Sequence, residues 1–160
     1  MKSTAIILRS DLDAQRAVSL INNLPHDGKV QIVIGNATQK RSTAQKGLYF
    51  LWAGVLAGEL GNDKESQHLD LKRRFLLPIY EQSDEGFAEM IDSVRYVWKS
   101  GQRLKAERLL LKVASLASTN DATVEQMTQY LTDVEHWAIS TGIILPKPED
   151  QYYEALRRAA

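Results

Sequence analysis

Apolar positions recur along this chain with two different periods, and the change between them falls close to Lys40. Residues 3–9, STAIILR, are a short β-branched apolar run of the kind that fills a buried strand. Residues 29–35, KVQIVIG, alternate Val30, Ile32 and Ile34 against Gln31 and Val33, which predicts a second strand. Between them Ala14, Ala17, Val18 and Ile21 stand at helical spacing over 12–23, with Asp11 or Asp13 as the cap and Leu24-Pro25 as the stop. A crossover of that length allows the strands to lie parallel, so residues 1–61 read as a β-α-β unit leading into a central helix.

The central helix lies in KRSTAQKGLYFLWAGVLAGELG, residues 40–61. Ser42 and Gln45 have the S-x-x-Q spacing of a capping box, which places the helix start at Ser42. Glu59 is the sole formal charge between Gly47 and Gly61, and a helix apolar all round is a buried one. Gly47, Gly54, Gly58 and Gly61 fall within about 60° of one another on the helical wheel. Each interior glycine costs about 1 kcal/mol against alanine, so the stripe predicts a close backbone approach. Either Gly47, Gly54 and Gly58 make a helix contact across a dimer, or the stripe packs within the chain.

Beyond Gly61 the 3.6-residue period continues to the C-terminus, so residues 62–160 read as helical. Asn62 or Asp63 caps a segment carrying Leu69, Lys72, Phe75 and Leu76 before Pro78. Asp84 opens a helix with Phe87, Met90, Ile91, Val94 and Trp98, closed by Ser100-Gly101. The next runs from Gln102 to Ala117 with Ala106, Leu109, Leu110, Val113 and Ala117 on its core face. Thr123 and Gln126 form a second capping box, opening a helix with Val124, Met127, Leu131, Val134 and Ala138 that Gly142 closes. Pro148 suits the first turn of a final short helix. Two strands make a poor sheet, so either residues 76–80 supply a third or a second subunit completes it. The expected fold is therefore α+β and mostly helical, a single domain over 1–160, assembled as an interlocked homodimer.

Composition narrows the function more than it changes the fold. The chain has 160 residues, no cysteine and a formal net charge of zero, which excludes a disulfide framework, a thiolate metal site and a thiol nucleophile. Lys2, Arg9, Asp11 and Asp13 come too early for an apolar signal core, so an unsecreted, cytoplasmic protein with no membrane segment is expected. The neutral total conceals segregation: residues 1–58 sum to +4, 59–92 to −5, 93–118 to +5 and 119–160 to −4. Local basic surface, more than total charge, governs binding to a polyanion.

Catalytic signatures are missing from the sequence: there is no P-loop, G-x-S-x-G, G-x-G-x-x-G or H-E-x-x-H. His68 and Asp70 are two apart, about 200° around a helix, and read as solvated surface with no metal or cofactor implied. The basic residues are better placed. Lys105, Arg108 and Lys112 recur at spacings of three and four, with Arg103, Lys99 and Arg95 upstream; this is either a phosphate-tracking stripe or a solvated face. Lys40, Arg41 and Lys46 flank the start of the central helix, where backbone N–H groups favour an anion or where a plain solvated loop would lie. Tyr49, Phe50 and Trp52 follow closely and read as core rings before base platforms.

Arg41-Ser42-x-x-Gln45 followed by an aromatic helix resembles the NinB (Orf) family of phage recombination proteins. The likeness covers about 60 N-terminal residues and returns at Ala117-Ser118-Thr119, Met127 and Thr141-Gly142-Ile143. Lys46 stands where that family usually has asparagine, and Phe50 where it has tryptophan. The resemblance implies a non-enzymatic α/β homodimer of the bacterial host cytoplasm that binds single-stranded DNA and helps load a recombinase past the single-strand binding protein. Arg41, Ser42 and Gln45 carry over as its motif. The alternatives are a metal-dependent nuclease of phage DNA metabolism and a protein adaptor that does not bind DNA.

Overall fold

The computed structural model describes residues 6, 8, 10–25, 27, 29, 30, 32 and 42–157. The chain divides into two compact units, Met1–Thr38 and Gln39–Ala160. In the first, α1 spans Asp11–Asn22. Its cap is Ser10 and not an aspartate: the Ser10 hydroxyl accepts from the Asp13 backbone N–H at 3.3 Å and donates to the Asp13 carboxylate at 2.9 Å. This leaves Asp13 inside the first turn, where a carboxylate suits the helix dipole.

The expected β-α-β unit is not seen, and among the described residues there is no strand. From the two β-branched runs, Ile6, Leu8 and Ile32 are exposed, while residues 3–5, 7, 9, 31 and 33–35 lie outside the described set. Strand propensity is a preference for a pleated, half-buried surface, and among the described residues of these runs only Val30 is half-buried and no ladder forms. The third strand considered at 76–80 is helical as well. The mostly helical part of the expectation stands.

In the second unit α2 spans Thr43–Leu60, α3 Lys64–Leu71, α4 Leu77–Ser83, α5 Glu85–Lys99, α6 Arg103–Leu116, α7 Val124–Ser140 and α8 Glu149–Leu156. Local chemistry explains most boundaries. Asp63 and Asp84 accept from the N–H groups of Ser66 and Phe87 at 2.9 and 3.0 Å. Thr123 and Gln126 form the second capping box. Gly61, Gly101 and Gly142 close their helices at positive φ, of which Gly61 completes a bond from Asn62 N–H back to Ala57.

Pro78 does not stop its helix, as the sequence suggested. A π-helical turn at Lys72–Leu76 widens the coil just before it, with Leu77 N–H reaching back five residues to Lys72. Proline has no N–H and its ring collides with the carbonyl four residues earlier, so a wider turn lets the coil run through it.

The core of this unit is built from Leu48, Trp52 and Leu56 of α2, Leu71 and Leu76, Met127, Tyr130, Leu131 and Val134 of α7, and Tyr152 and Leu156 of α8. Helix α2 is buried on one face only, a correction to the expectation of burial all round: Phe50 is 52% and Leu51 40% exposed. Gly47 faces α8, where an added methyl would meet Gln151 Oε1 at 3.1 Å, whereas space over Gly54 and Gly58 is open.

Gln67 is fully buried; its Oε1 accepts from Asn62 at 2.9 Å, but its Nε2 has no hydrogen-bond partner among the described residues. A buried unmade donor carries a desolvation penalty of about 1–3 kcal/mol. Gln67→Met keeps the length and removes that donor, so it raises the thermal midpoint, by about 1 kcal/mol of stability. A calorimetric scan checks this; a lower midpoint means that the amide finds a partner.

Candidate nucleic-acid interface

Helix α6 presents Lys105, Arg108 and Lys112 to solvent, while Ala106, Val113 and Ala114 face the core. At 100° per residue, Ser115 belongs to the same face as those three cations. None of the three is ion-paired among the described residues, unlike Arg73, Arg74 and Arg95. Arg73 and Arg74 both bind Asp70, at 2.8 and 2.6 Å. Arg95 bridges Glu81 and Asp92, which holds its guanidinium above its ordinary pKa and removes it from the upstream end of the stripe. Arg103 points elsewhere: it sits over the half-exposed Trp98 ring at 5.5 Å.

The stripe leads to a polar pocket at its C-terminal end. Ser115, Ser118, Thr119 and Asn120 form one wall, Lys46 and Phe50 of α2 another, and His68 and Lys72 the third, enclosing about 330 Å³. Ser118-Thr119-Asn120-Asp121 is a run of turn-forming residues that ends α6. The Ser118 hydroxyl accepts from Asn120 N–H at 3.1 Å, and its carbonyl from the Tyr80 hydroxyl at 2.6 Å, which ties the loop to α4.

Lys72, on the π-helical turn, is 7% exposed. Its ammonium donates to the Ser115 carbonyl at 3.4 Å and meets no carboxylate among the described residues. Burial pushes its pKa below that of an ordinary lysine. Beside it, His68 hydrogen-bonds through Nδ1 to the Tyr49 hydroxyl, which in turn accepts from buried Tyr130 at 3.3 Å. Burial first, then the Tyr49 hydroxyl, raises the Tyr130 phenol well above its ordinary range. His68 also stacks on Phe50, their planes 16° apart. It is therefore half-buried and engaged, not the solvated residue that its sequence context suggested.

The aromatic run divides by position. Tyr49 and Trp52 are core rings, Trp52 donating to the Pro146 carbonyl at 2.7 Å, and Phe50 alone opens to the pocket. Of the helix-entrance residues, Lys40 and Arg41 lie outside the described residues, and Lys46 is exposed at the pocket mouth. Ser42 and Gln45 of the motif are structural. Gln45 Oε1 accepts from Ser42 N–H at 2.9 Å, while Nε2 lies 2.9 Å from the Val124 carbonyl, 3.1 Å from the Thr128 hydroxyl and 3.2 Å from the Ala155 carbonyl.

Sequence reasoning missed Lys72, His68 and the Ser118–Asn120 loop. Lys72 is one of four cations in the acidic block 59–92, and its place beside Leu69, Phe75 and Leu76 on the apolar side of its segment was the signal available in the sequence. Among the described residues no group of three or more His, Asp and Glu side chains is placed to hold a metal. No described helix is long and apolar enough to cross a membrane. Compared with known proteins, the chain matches no family model, no curated protein and no solved structure.

Proposed function

We propose that this chain is a single-stranded DNA-binding protein that acts without catalysis, its basic α6 face tracking the phosphate backbone. One observation carries the reading: Lys105, Arg108 and Lys112 share an exposed face and have no ion-pair partner among the described residues, in a chain whose net charge is zero. A neutral protein with unpaired cations gathered on one face has a local surface suited to a polyanion. The likeness of residues 41–45 to the NinB motif extends the proposal to recombinase loading in a phage-infected bacterial cytoplasm. A single-strand binding protein, a recombinase and a second copy of this chain are the partners it entails.

Fluorescence anisotropy of labelled single and double strands, titrated with salt and run with and without magnesium, tests the reading. Single-strand affinity falls as salt rises, with a logarithmic slope of about 0.7 for each phosphate neutralised. Binding that ignores salt, or none at all, overturns it. Magnesium-dependent cleavage replaces it with the nuclease reading.

A further inference from the structure

The pocket at the end of the α6 face contains a buried lysine whose hydrogen bond is to a main-chain carbonyl of the last α6 turn. Lys72 is buried, lacks a carboxylate partner among the described residues and reaches a single main-chain carbonyl at 3.4 Å. A buried ammonium without a counter-ion is destabilising, and one neutral carbonyl does not offset its charge. Around it are Lys46 at the mouth and the Ser118, Thr119 and Asn120 side chains on the facing loop. Every one of these groups carries a hydrogen-bond donor, and no Asp or Glu among the described residues lines the pocket. The volume, about 330 Å³, is at the small end of ligand pockets, which run from about 300 to 1,000 Å³.

A cavity whose described lining has two lysines, several hydroxyl and amide donors and no carboxylate is complementary to a tetrahedral oxyanion. We propose that this pocket holds one phosphate group of a nucleic-acid strand, with Lys72 as its buried countercharge and Lys46 closing over it from the mouth. The proposal rests on the single-strand reading for the source of the phosphate and not for the site itself. Ser115 lies on the same face as Lys105, Arg108 and Lys112 and also lines the pocket, so a strand following α6 arrives at the cavity. The phosphate is either an internal diester or the terminal monoester of that strand, and both present the same oxygens to Lys72.

Thermal melts with inorganic phosphate against chloride at matched ionic strength, and anisotropy with equal-length single strands bearing a 5′-phosphate or a 5′-hydroxyl, test the site. The variants are Lys72→Met, Lys46→Gln and the joint reversal of the α6 cations. Phosphate raises the melting midpoint of the wild-type chain, and Lys72→Met loses about tenfold or more of that affinity, the weight of one charge-assisted contact. Lys46→Gln, at an exposed position, loses a few-fold and serves where Lys72→Met fails to fold. The α6 reversal retains the phosphate shift while losing strand binding, so failure of the single-strand reading leaves this result intact. A preference for the 5′-phosphorylated strand that Lys72→Met or Lys46→Gln removes assigns the pocket to the terminal monoester; equal losses on both strands assign it to a diester. Phosphate shifts and strand affinities that neither variant changes overturn the proposal, as does a wild-type chain that responds to no phosphate and loses no strand affinity in either variant.

Discussion

Changing Lys105, Arg108 and Lys112 together to glutamate lowers the affinity for single-stranded DNA by about a hundredfold or more at low salt, and leaves the helical content unchanged. All three side chains are exposed, and none holds another element through an ion pair among the described residues. The expected loss comes from electrostatics alone. Removing three phosphate contacts at about 0.7 each also flattens the dependence of log affinity on log salt by about 2. The slope makes this test sharper than affinity by itself, because a misfolded variant loses binding without a defined change in slope. Circular dichroism with salt-titrated anisotropy reads both. An unchanged affinity removes α6 from the interface and leaves its basic face as a solvated surface.

The second large effect lies in the fold and not in binding. Gln45→Glu destabilises the protein by about 3 kcal/mol, seen as a lower denaturant midpoint at constant slope. Glutamate serves a capping box as well as glutamine, so a residue with only that role would tolerate the exchange. In this chain the side-chain amide also points Nε2 at the Val124 and Ala155 carbonyls, tying the start of α2 to α7 and α8. A carboxylate in that place sets an acceptor against two acceptors in a fully buried site. The Val124 carbonyl keeps the Thr128 hydroxyl as a donor at 2.8 Å, so the loss comes mainly from the buried charge and the severed link to α8. A midpoint within error of the wild type confines Gln45 to the cap.

Glu135 gives a milder view of the same principle. It is buried at 3% exposure, yet it accepts from Tyr152 at 2.7 Å and binds Lys147 at 3.0 Å. That contact raises the Lys147 pKa. Glu135 thus has an ion-pair partner, whereas Lys72 has none among the described residues. The contrast between two buried charges in one small domain is what separates an internal tie from a position suited to an outside anion.

Much of the helical architecture was legible because caps are local. Ser42 with Gln45, Thr123 with Gln126, and the aspartates at 63 and 84 each act within three residues, and Gly61, Gly101 and Gly142 supply a left-handed turn by themselves. Cation spacing on α6 was legible for the same reason, since a helix converts spacing into a face. The β-branched runs misled, because a strand depends on a partner and a cover that its own sequence does not contain.

The sequence by itself determined most helix starts and stops in the second unit, though not the coil through Pro78, and that Lys105, Arg108 and Lys112 share one face of α6. Tertiary structure decided which apolar face of α2 is buried, that Gln45 serves α7 and α8 as well as its own cap, and that Arg95 is ion-paired while Lys105, Arg108 and Lys112 are not. It also decided that Lys46, His68, Lys72 and the Ser118–Asn120 loop meet around one cavity. Lys46, the His68–Lys72 turn and the Ser118–Asn120 loop are three segments far apart in the chain. Their convergence depends on helix packing, which local spacing does not encode.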